Sequence, residues 1–128
     1  MSDRELLKLA AKAAGYQVWI EPRSLGCQFD NQRELYLDMR GSKVWNPLTD
    51  DGDAIRLAVS LDIHIEPNFK NGHNYVVAGI DNPEWHPDLN PERSLWLAEE
   101  DGEDGDDPAE LTRRAIVRAA AEIGRDIP

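Results

Sequence analysis

The chain has 128 residues and a formal net charge of −11, which fits one domain with a real core, spanning 1–128. That charge argues against direct binding to nucleic acid, because a phosphate backbone calls for a cationic face. A single cysteine, Cys27, excludes an internal disulfide framework and fits a reducing compartment, and with no bilayer-length apolar run and no leader-like start a cytoplasmic, non-membrane protein is expected.

Ser2 followed by Glu5 forms a capping box that predicts a helix ending near Gly15, with Leu6, Leu9, Ala10 and Ala13 as its apolar stripe. Residues 16–21 alternate β-branched or aromatic with polar side chains and read as a strand closed by Pro22. Residues 27–29 are a short candidate return strand, and the alternation of Leu35, Leu37 and Met39 allows a third, with a helical turn as the alternative.

The next stretch, 43–62, reads as the organising element. Pro47 biases Asn46 away from helical angles, so 45–47 should be extended or turned, with Trp45 as a core plug and Asn46 satisfying backbone groups. Thr49, Asp50 and Asp51 can cap a helix in which Ala54, Leu57, Ala58 and Leu61 form one stripe. Ile55 and Val59 widen that stripe and leave Asp53, Arg56 and Ser60 as a narrow polar strip, so this helix should be buried around most of its circumference.

Residues 63–66 alternate and end at Pro67. Asn71-Gly72 then predicts a hairpin to a strand over 75–80. Residues 81–93 hold three prolines and read as a surface loop, with Trp85 tucked beneath it. Residues 95–97 are either a last edge strand or the anchor of that loop. Asp107, Pro108 and Glu110 mark a second capping box before a helix with Leu111, Ala115, Ile116, Ala119 and Ile123 on its apolar face, Arg113, Arg114 and Arg118 away from it, and Gly124 as its stop. The element order αββ(β)αββ(β)α implies an α+β class: a small, mainly antiparallel sheet packed with three helices in a layered sandwich.

Glu99, Glu100, Asp101, Glu103, Asp104, Asp106 and Asp107 hold no Lys or Arg among them, and without these seven acids the net charge falls to −4. Their bland reading is a solvated linker or acidic loop over 99–107; their functional reading is a segment that meets a basic partner. The glycines of the run do not match a calcium-binding loop. His64, His73 and His86 lack the spacing of a zinc site, Cys27 lacks a nucleophile signature, and capping explains Asp50, Asp51 and Asp53. No catalytic residue, metal or cofactor is therefore expected, and the chain reads as no enzyme.

Residues 45–48 running into 50–54 and 56–59, together with 111–124, resemble small bacteriophage and prophage proteins carrying a phage ABA sandwich domain. The resemblance covers about a third of the chain and implies a layered α/β fold and a phage accessory role in a bacterial host cell. It carries over no catalytic or binding residues. The expectation is a non-enzymatic protein that binds a host protein with a basic surface. A counter-defence, anti-CRISPR-like inhibitor whose acidic surface mimics nucleic acid is its most concrete form. The alternative is a structural or morphogenetic phage protein that self-associates. The sequence leaves the oligomeric state open.

Overall fold

A computed structural model describes residues 2–20, 35–37, 43–68, 74–80, 96–102 and 107–127. Its elements follow the order α1 (Asp3–Ala14), β1 (Trp19–Ile20), β2 (Leu35–Tyr36), β3 (Val44–Trp45), α2 (Asp51–Leu61), β4 (Ile63–Asn68), β5 (Asn74–Ile80), β6 (Trp96–Gly102) and α3 (Pro108–Asp126). The α+β class expected from the sequence is observed, with the strands in two antiparallel sheets ordered β1-β2-β3 and β4-β5-β6. The candidate strand at 27–29, Cys27 itself, and the loop with Trp85 and His86 lie outside the described residues, as does His73.

Local chemistry sets the helix ends. The Ser2 hydroxyl accepts from the Glu5 N–H at 3.2 Å while the Glu5 carboxylate accepts from the Ser2 N–H, completing the expected box. Gly15 ends α1 in the left-handed region at φ 74°, which lets the Tyr16 N–H return to the Ala11 carbonyl at 2.9 Å. At the end of α2 the same conformation falls to Asp62, at φ 54°, where no glycine is available. β4 runs on through Pro67 to Asn68, beyond the expected end. It lies at a sheet edge, where a residue without an N–H is tolerated.

The core differs from expectation in which helix it surrounds. Ile55 is 60% and Val59 75% exposed, so α2 buries one face only, built on Ala54, Leu57, Ala58 and Leu61. The wrapped helix is α3. Ala115, Ile116, Val117, Ala119, Ala120, Ala121, Ile123 and Gly124 are all buried, which leaves Arg118, Glu122 and Arg125 as the narrow outward strip of its later turns. It packs on β4, β5 and β6 and against both other helices. Small side chains explain this: alanines let a sheet and a helix approach closely from different sides, whereas Ile55 and Val59 stand clear of the Leu57 stripe. Gly124 does not stop α3, which continues to Asp126. Instead it marks the contact with α1, where a Cβ would fall on the Leu9 carbonyl.

α1 and α3 run in the same direction, tied near their starts by Arg114 Nη1 to Asp3 Oδ1 at 3.3 Å and at their ends by Lys12 Nζ donating to the Ile127 carbonyl at 2.7 Å. One hydrophobic cluster joins Leu6, Leu35, Trp45, Leu57, Val76 and Val117 and so links all three helices to both sheets. No helix among the described residues is long and apolar enough to cross a membrane.

Candidate functional site

The turn before α2 is a closed set of hydrogen bonds. Asn46 Oδ1 accepts from the Leu48 N–H at 3.1 Å, and the Asn46 carbonyl accepts from the Asp50 N–H at 2.9 Å. Asp50 caps the helix by accepting from the Asp53 N–H at 2.8 Å. Asp53 is buried and not part of a solvent strip as expected: its carboxylate accepts from the Asn46 N–H at 2.9 Å and from Arg56 Nη2 at 2.8 Å. The hydrogen bond to Asp53 is the main cause that raises the Arg56 pKa above its ordinary value. Asp51 takes Arg113 Nη1 at 2.7 Å, and Arg113 Nε also donates to the Leu48 carbonyl at 2.9 Å. Each of these three aspartates thus has a structural task.

A pair of variants separates those tasks. Asp53→Asn keeps the shape but sets an amide donor against the Asn46 N–H or the Arg56 guanidinium, and should cost about 1–3 kcal/mol. Asp51→Asn, at a side chain 70% exposed, should cost less than about 1 kcal/mol. Urea denaturation of both checks this, and equal losses would mean that burial of Asp53 carries no weight.

The acidic run is divided by the fold. Glu99, Glu100 and Asp101 belong to β6, whose backbone pairs with β5, so the run is not a loop over its whole length. The physical reason is that β5 is the central strand and needs hydrogen-bond partners on both edges. Glu100 accepts from Arg118 Nη1 at 2.7 Å, with its side chain only 13% exposed, so it is committed inside the molecule. Glu103, Asp104 and Asp106 lie outside the described residues. Asp107 is exposed and caps α3, accepting from the Ala109 N–H at 3.1 Å rather than from the Glu110 amide of the expected box.

The run leads directly into a feature that sequence reasoning missed. Between the first turns of α2 and α3 is an open cleft of about 290 Å³ whose walls are almost entirely apolar. Ala54 and Ile116, both buried, form its walls with Ala109 and Thr112. The exposed Ile55 also lines it, and the Asp51–Arg113 pair lies alongside. Val59 continues the exposed apolar line one turn along α2. The signal was present in the sequence, since both residues fall outside the Leu57 stripe. A stretch so rich in apolar residues made burial the more natural reading. His64 is exposed on β4, and among the described residues no group of three or more His, Cys, Asp or Glu side chains is placed to hold a metal ion.

No protein-family model, curated protein or solved structure matches the chain.

Proposed function

We propose that this is a non-enzymatic accessory protein of bacteriophage or prophage origin, acting in the bacterial cytoplasm by binding a host protein with a basic surface. The observation that carries the reading is the apolar cleft between the starts of α2 and α3. The exposed Ile55 lines it, and so does Pro108, next in sequence to Asp107, the last residue of the acidic run. An apolar groove with exposed aliphatic side chains next to it can take up a partner's apolar side chain, and a surrounding negative field favours a basic partner. Inhibition of a host complex that holds nucleic acid in a basic groove is the most concrete form of this activity. The origin rests on the resemblance of 45–59 and 111–124 to the phage ABA sandwich proteins.

Capture from a bacterial host lysate followed by mass spectrometry identifies the partner, and binding kinetics at two salt concentrations then test the role of charge. Association should slow steeply with salt, which screens exposed charges over about 8–10 Å, while dissociation changes less. Converting Glu103 and Asp104 to Gln and Asn, and Asp106 and Asp107 to Asn, should slow association and flatten its salt dependence. Asn still caps α3 at position 107. Unchanged association in that quadruple variant would reduce the acidic run to a connector, and a protein that captures nothing and assembles with itself would favour a structural phage component instead.

A further inference from the structure

We infer that the α2–α3 cleft receives an apolar side chain from a cationic amphipathic helix of another protein, laid along the Ile55–Val59 line. This rests on the binding function proposed above and specifies its partner. Ile55 and Val59 stand about 6 Å apart along the helix axis, the spacing at which an amphipathic helix repeats its own apolar residues. The cleft beside Ile55 is walled mostly by carbon, so it favours an apolar side chain over a polar one, which would lose its hydration there.

Charge decides the rest of the partner's chemistry. Asp51 lines the cleft, and Asp50, Asp107 and Glu110 are each next in sequence to a lining residue; all four are exposed. Among the described residues, Arg56 is engaged with Asp53 at 2.8 Å, and Arg113 with Asp51 at 2.7 Å and with the Leu48 carbonyl. The two helix starts do not invite an anion either, because the carboxylates of Asp50 and Asp107 already occupy N–H groups there. Among the described residues, Asp50, Asp51, Asp53, Asp107 and Glu110 outnumber Arg56 and Arg113 at the starts of α2 and α3, so the surface there is negative on balance. A basic helix can place Lys or Arg against it while its apolar face covers Ile55 and Val59. A second copy of this chain fits less well, since a twofold contact would set the same acids against one another.

The test uses the full chain, labelled with ¹⁵N, and two synthetic amphipathic helical peptides, one of Leu and Lys and one of Leu and Glu. The Leu/Lys peptide should shift the amides of Ala54, Ile55, Val59, Ala109 and Thr112 saturably, and the Leu/Glu peptide should not. Ile55→Asn should weaken Leu/Lys binding at least tenfold with unchanged circular dichroism, whereas Glu66→Gln, at an exposed acid on β4, should leave it unchanged. Shifts spread over the acidic surface, equal binding of both peptides, or insensitivity to Ile55→Asn would overturn the inference. So would a dimer in sedimentation that Ile55→Asn dissociates, because the occupant would then be a second copy. If a captured host protein binds Ile55→Asn as tightly as the wild type, the binding function stands and the cleft inference falls. Peptide binding at the cleft with no host protein captured removes the proposed function and leaves a peptide groove.

Discussion

Gly124→Ala should destabilise the protein by about 3 kcal/mol, although alanine is ordinarily the better residue inside a helix by about 1 kcal/mol. The added Cβ would fall on the Leu9 carbonyl of α1, with the Leu9 carbonyl carbon only 2.9 Å away. Both sides of that clash are backbone or fixed to it, so no rotamer change relieves it. The helices must separate instead, and that opens space along the contact between α1, whose Ala10 and Ala11 are buried, and α3. Gly52→Ala is the control. Its Cβ would meet the Arg56 guanidinium at 3.2 Å and Asp50 Oδ2 at 3.3 Å, side-chain ends that need give by only a few tenths of an ångström. Both are held by hydrogen bonds, however, Asp50 Oδ2 to the Asp53 N–H and Arg56 to the Asp53 carboxylate. Straining those bonds offsets the gain in helix propensity, so that variant should change stability by less than about 1 kcal/mol. Urea denaturation of the two checks the contrast, and a loss below about 0.5 kcal/mol at Gly124 would mean that α1 and α3 do not touch there.

Trp45→Ala should cost about 3–5 kcal/mol. Trp45 is 2% exposed, and its ring meets Tyr16 edge to face with centroids 6.0 Å apart and planes at 88°. It also stands opposite Leu35 on β2, so its removal leaves a cavity where the sheet β1-β2-β3 joins the common core. The preceding Val44 is 46% exposed, which gives an internal comparison: Val44→Ala removes apolar surface from the same two-residue strand at a cost below about 1 kcal/mol. Trp45→Phe keeps a ring against Tyr16 and should fall between the two. Equal effects at positions 44 and 45 would show that the strand, rather than the indole, carries the stability.

These two positions also show how far local reading reaches. Trp45 was legible as a core plug because Asn46-Pro47 forces a turn immediately after it, and a large ring beside a fixed turn has few places to go but inward. Gly124 was misread as a helix stop, because a glycine after an apolar run has that meaning whenever nothing else approaches it. What approaches it is Leu9, more than a hundred positions earlier in the chain, and no pattern around residue 124 encodes that encounter. The acidic run shows the same limit. Its charge is plain from composition, but that Glu100 lies in a strand facing Arg118 depends on β5 needing a second neighbour and on α3 crossing that sheet.

The sequence by itself determined the three helices, the caps at Ser2, Gly15 and Asp50, the turn at 46–50 and the α+β order, because each rests on interactions between residues a few positions apart. The strands at 63–68 and 74–80 pair antiparallel as expected, while the Asn71-Gly72 turn lies outside the described residues. Only the tertiary structure decided which helix is wrapped, that Glu100 is engaged within the molecule, and that Ile55 and Val59 face solvent, Ile55 at a cleft. Those outcomes depend on which surfaces meet across long stretches of chain. A periodic stripe says that a helix has an apolar side, but the width of what covers it is set by its neighbours. The alanines of α3 allowed a sheet and two helices to close around it, and α2 kept one face uncovered.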